Sequence, residues 1–134
     1  MIASLYRGAV AAILFAVSFG AAAASLPNFD DLEAKLKIRP EQKDQFDMAV
    51  GSTKRALFAV GLAGLQLKER LTQELLKDRP DFSALLREQE AVVEQTRPLF
   101  REAGEQWKKL YAILDDEQVR IARSYLKENL GRYF

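Results

Sequence analysis

The sequence predicts an all-α protein: a long antiparallel helical hairpin with short flanking helices at its N- and C-terminal ends. Two observations carry this. Apolar residues recur at steps of three and four along two long stretches, the spacing that keeps side chains on one helix face. A single break, Asp78-Arg79-Pro80, divides those stretches, and long helices joined by a tight turn run antiparallel.

At 134 residues the chain is one domain at most. Met1 to Arg7 gives a short basic start, Ala9 to Phe19 an apolar run, and Ala22-Ala23-Ala24 a small-residue processing site. This is the layout of a secretory signal peptide, residues 1–24, with cleavage before Ser25. Gly8 to Leu26 is also free of charge and long enough for a membrane anchor, but its alanine-rich centre and processing site favour cleavage, leaving no stable membrane insertion. Residues 25–134 then form a single helical domain. Residues 1–24 hold one of the 20 basic residues, Arg7, and none of the 19 acidic ones, so the exported part is formally neutral. That argues against a nucleic-acid partner, which asks for a basic excess. With no cysteine, an exported chain gains its stability from packing alone.

Ser25-Leu26-Pro27-Asn28 reads as a linker, followed by a short helix over Phe29–Ile38 with Asp30 and Asp31 in its first turn. The first long helix begins at Pro40, where proline loses no hydrogen bond, and runs to Leu76 or Lys77. Its seam is Phe46, Val50, Thr53, Leu57, Val60, Gly64, Leu67, Leu71 and Leu75. Within it, Ala56 to Leu65 carries no polar side chain, and Phe58, Leu62 and Leu65 fall off the seam on an adjoining face. Either two helices of the chain enclose this stretch, or the extra face is kept for a second subunit or a client. Gly61 and Gly64 weaken the helix by roughly 1 kcal/mol each unless another backbone comes close.

Asp81 caps the second long helix, whose seam is Phe82, Leu85, Gln89, Val92, Thr96, Leu99, Ala103, Trp107, Leu110 and Leu114. Pro98 lies inside it and should bend it. Leu114-Asp115-Asp116-Glu117-Gln118-Val119 is a capping box: Asp115 accepts from the Gln118 backbone, the Gln118 side chain returns to the Asp115 backbone, and Leu114 with Val119 forms a hydrophobic staple. A last helix follows, with Val119, Ala122, Leu126 and Leu130 on one face and Gly131 as its stop. A weaker copy of the phrase, Ile38-Arg39-Pro40-Glu41-Gln42, opens the first long helix. Arg39 cannot accept a hydrogen bond, so Pro40 and packing are expected to hold that corner.

Two Leu-Thr-x-x-Gln-like motifs in a small exported helical chain resemble the Spy/CpxP family of periplasmic proteins, over nearly all of residues 32–130. Tyr111 to Gln118 is similar to the family's second motif, with Asp115 where threonine is usual. The resemblance implies a thin, curved, cradle-shaped homodimer and a periplasmic location. It also implies one of three roles: an ATP-independent chaperone that holds unfolding or misfolded proteins, a partner that restrains an envelope-stress sensor, or a metal-responsive regulator.

The chain has no histidine and no cysteine, which removes the usual general base, the thiol nucleophile and the main transition-metal ligands. No cofactor is expected, and the metal-responsive role is the weakest of the three. Glu90 with Glu94 reads as a solvated face, and no phosphate loop or serine-nucleophile motif occurs, so no enzyme activity is expected. Trp107 and Tyr111 are read as core, while Arg97, Arg101, Lys108 and Lys109, interleaved with Glu94, Glu102 and Glu105, form a mixed solvated surface. The residues singled out are therefore Ile38, Pro40, Glu41, Gln42, Leu114, Asp115, Gln118 and Val119 as a structural motif, with Phe58, Leu62 and Leu65 as a client or dimer surface.

Overall fold

A computed structural model describes residues 28–133, and the signal-peptide reading of residues 1–24 lies outside them. Four helices follow one another: α1 (Phe29–Leu36), α2 (Pro40–Leu75), α3 (Phe82–Ile113) and α4 (Asp116–Tyr133), with no strand among the described residues. The two long helices pair antiparallel, as shown by Arg70 with Glu88, Arg55 with Glu102, and Gln45 with Gln106. The short ones, α1 and α4, pack together across the base of this hairpin.

Local chemistry sets each boundary. Asn28, read as linker, is the cap of α1: its Oδ1 accepts from the Asp31 N–H at 3.0 Å. This helix stops at Leu36, two residues short of the expected Ile38, because Lys37 turns into the left-handed region (φ 52°) and its N–H returns to the Ala34 carbonyl. Helix α2 starts at Pro40 as expected and runs for 36 residues. Asp81 caps α3 through the Ala84 N–H at 3.0 Å, and α3 continues through Pro98 for 32 residues. The predicted stop at Gly131 is overrun, with α4 reaching Tyr133.

Burial is concentrated at one end. Phe29, Leu36, Phe46, Val50 and Leu110 form the core, with Leu32, Ile38, Trp107, Leu114, Ile121 and Ala122 packed around it. Trp107 stacks on Phe29 (centroids 6.2 Å apart), meets Phe46 edge-on, and donates from Nε1 to Thr53 Oγ1 at 2.7 Å. Further along, Ala49, Ala56 and Ala103 are wholly buried; residues this small let two helix axes come close.

Toward the turn the expected seam loosens. Leu85 stays buried, but Leu71, Leu75 and Phe82 are exposed, and on α2 the covered residue is Glu74, at 2 % exposure. Its Oε2 accepts from the Asp81 N–H at 3.0 Å and its Oε1 from Lys77 Nζ at 2.6 Å, so the carboxylate ties the turn and leaves Leu75 outside. These bonds, the Asp81 N–H first and Lys77 second, hold the Glu74 carboxyl below the usual carboxylate range. Among the described residues no helix is long and apolar enough to cross a membrane.

Candidate functional site

The two motif corners, 76 residues apart in sequence, are one structure. Gln42 and Gln118 lie side by side, 2 % and 4 % exposed. Each amide donates to the other: Gln42 Nε2 to Gln118 Oε1 at 3.0 Å, and Gln118 Nε2 to Gln42 Oε1 at 2.8 Å. The second hydrogen of each NH₂ goes to the backbone of the opposite corner. Gln42 donates to the Ile113 carbonyl (2.8 Å), and Gln118 donates to the carbonyls of Leu36 (3.1 Å) and Lys37 (3.3 Å). Each Oε1 also accepts from the residue three places before it in its own motif, the Arg39 N–H at 3.1 Å and the Asp115 N–H at 3.0 Å. Ile113 and Lys37 each stand five residues before a glutamine, so the arrangement is close to two-fold symmetric. Every donor and acceptor of both amides is used, and no buried side-chain polar atom among the described residues lacks a partner.

At the second corner the capping box forms as read: Asp115 Oδ1 accepts from the Gln118 N–H at 2.8 Å. The first corner departs from expectation. Arg39 caps nothing, yet Gln42 still supplies the return half of the box, and Arg39 Nη1 reaches Asp115 Oδ2 at 2.7 Å. The corner is thus held by the opposite motif as well as by Pro40 and packing. The Gln118 N–H foremost, then the Arg39 guanidinium, keeps the Asp115 carboxyl below its usual range. The Arg39–Asp115 pair is nearly half exposed on both sides, so water screens it and it orients the corner more than it stabilises it. Ile38 and Leu114 pack against the core, Val119 is half-buried, and Pro40 and Glu41 are exposed, with Glu41 paired to Arg39 Nε at 3.0 Å.

Phe58, Leu62 and Leu65 lie far from these corners and are 74 %, 48 % and 66 % exposed. At ~100° per residue they point away from the α2 face that meets α3. Among the described residues no other helix encloses this stretch. Gly61 and Gly64 are not sites of close approach among the described residues either, since a Cβ on either would meet none of them within 4 Å. A second apolar surface, all of whose residues but Leu86 the periodicity had assigned to the seam, opens beside the turn. It is a groove of about 290 Å³ lined by Leu67, Leu71, Phe82, Leu85, Leu86 and Gln89. The signal for it in the sequence is the run Phe82, Leu85 and Leu86 just after a charged turn, with Leu67 and Leu71 just before it.

No family profile, curated protein or solved structure matches the chain.

Proposed function

We propose that this chain is a periplasmic, chaperone-like protein that holds apolar segments of unfolding or misfolded proteins without ATP. The observation that carries this reading is the hairpin's far half, which leaves large apolar side chains uncovered around an open groove at its turn. Covering one leucine or phenylalanine fully is worth ~1.5–3 kcal/mol, so two or three in contact with a client give weak, reversible binding. Ion pairs nearby, Arg70 with Glu88 and Lys77 with Glu74, keep the surface hydrated between encounters. The likeness of both corner motifs to the Spy/CpxP family supports the same reading.

The test is light scattering from a chemically denatured model protein diluted into buffer with the purified chain. An equimolar amount should suppress aggregation. Leu71→Ser combined with Phe82→Ser and Leu86→Ser should remove most of the effect while the Trp107 environment, at the other end, stays native by fluorescence. Absence of suppression at several-fold excess would refute the proposal. Capture of one saturable partner from a periplasmic extract, without any effect on aggregation, would transfer support to a sensor-restraining role.

A further inference from the structure

At ~100° per residue, helix α4 has sides of different chemistry. Gln118, Ile121, Ala122 and Tyr125 share the side that meets the fold. Gln118 bonds the Leu36 carbonyl, Ile121 and Ala122 pack on the core, and the Tyr125 ring centroid lies 5.3 Å from Lys35 Nζ. Arg120, Arg123 and Lys127 fall on the opposite side. All three are exposed, and among the described residues none holds an ion pair, not even Arg120 with Asp116 one turn earlier. Elsewhere Arg39, Lys43, Arg55, Arg70 and Lys77 all hold carboxylates. Bordering the free cations runs an apolar line, Val119 and Leu126, both only half covered, which the sequence carries on to Leu130 and Tyr133.

Charge is divided the same way. Residues 25–118 hold 15 basic and 18 acidic residues, whereas the stretch after them sets Arg120, Arg123, Lys127 and Arg132 against Glu128 alone. The neutral exported part is thus an acidic body with a basic last helix.

We propose that the cationic side of α4 and the apolar line beside it rest on an anionic phospholipid surface. The apolar line enters the boundary between headgroups and acyl chains while the cations beside it meet lipid phosphates, the arrangement of a helix that lies on a bilayer and does not cross it. A polyanion such as nucleic acid draws the cations too, but gives the apolar line nothing to enter. The acidic body is repelled by the same surface, so contact runs through α4. Each cation near such a surface is worth about fivefold in partitioning, and salt screens the attraction.

This inference is independent of client holding, because its readout is binding to lipid and not aggregation. The chain, purified in the form the cell yields, is sedimented with phosphatidylglycerol vesicles and with phosphatidylcholine vesicles. It should bind the first at least about tenfold more tightly and be released by high salt. Arg123→Glu with Lys127→Glu should weaken binding about thirtyfold or more, with Trp107 emission unchanged. Arg101→Glu with Lys109→Glu, an equal change of charge at exposed positions of α3, should alter it by less than about threefold. The native chain has no cysteine, so a polarity-sensitive dye can be placed at Leu126→Cys or, beside the turn, at Ser83→Cys. Its emission should shift to the blue on phosphatidylglycerol at the first site and not at the second. Absence of binding to phosphatidylglycerol, equal binding to both lipids, or binding that survives the α4 reversal would overturn the proposal. So would a shift at Ser83→Cys without one at Leu126→Cys. Duplex DNA bound as tightly as lipid, with the Leu126→Cys dye unshifted on vesicles, would make the surface a general polyanion contact and overturn the lipid assignment.

Discussion

Replacing either glutamine of the buried pair should cost far more than one side chain's share of hydrogen bonding. Methionine is the informative substitution, since it keeps the unbranched shape and removes only the polar atoms. Gln118→Met strands the Leu36 carbonyl, the Asp115 N–H, and one donor and one acceptor of Gln42. A buried polar group left without a partner costs ~1–3 kcal/mol, and partial access to water relieves some of the four. A loss of about 3–5 kcal/mol follows, a large part of the ~5–15 kcal/mol that holds a typical domain. Gln42→Met strands the Ile113 carbonyl, the Arg39 N–H and half of Gln118, with a similar cost. In the double variant neither amide is left facing an empty partner, so the two losses should fall short of additivity by about 1–3 kcal/mol. The assay is urea unfolding followed by the single tryptophan, Trp107, which sits in the same end of the molecule. Additivity within ~0.5 kcal/mol, or single losses under ~1 kcal/mol, would refute the view of the two corners as one locked unit.

Three further outcomes are expected. Gly64→Ala should raise stability by up to ~1 kcal/mol in thermal unfolding, because the added methyl meets nothing and only helix propensity changes. Asp81→Ala should lower stability by about 1 kcal/mol through loss of the cap on Ala84, with slopes in urea unchanged. Acid should loosen the molecule. Glu74 and Asp115 have folded pKa values below their unfolded ones, so their contribution is full above the ordinary carboxylate range near ~4. It is withdrawn as pH falls from there through the lowered values, and the melting temperature should drop across that window. Glu74→Gln should flatten part of the drop and lower the melting temperature at neutral pH.

The sequence reveals what is local and hides what is not. The starts of α2 and α3 and the Asp115–Gln118 box can be read because cap, proline and partner lie within a few residues of one another. The Gln42–Gln118 pair could not be derived in the same way, since each amide finds its second partner across the fold. The one hint was that both motifs place glutamine at the same distance from an apolar residue, Ile38 and Leu114. Periodicity placed Leu85 correctly but misplaced the rest of the far seam. It assigned Leu75 inward, but a hydrogen-bonded turn outranks a leucine there, and Glu74 takes the covered position. Phe58, Leu62 and Leu65 were legible as surplus to one seam, because three apolar residues on a second face need a second neighbour.

Because the aromatic core and both glutamines sit at the base of the hairpin, while among the described residues the far turn is tied by Glu74 and its neighbours and by the Arg70–Glu88 ion pair, the molecule is anchored like a pair of tongs at its rivet. Amide protons around Phe46 and Leu110 should exchange only by complete unfolding. Those between Leu67 and Leu86 should exchange through local openings that leave the rivet closed. The limb can therefore part and close again many times within the life of a single folded molecule.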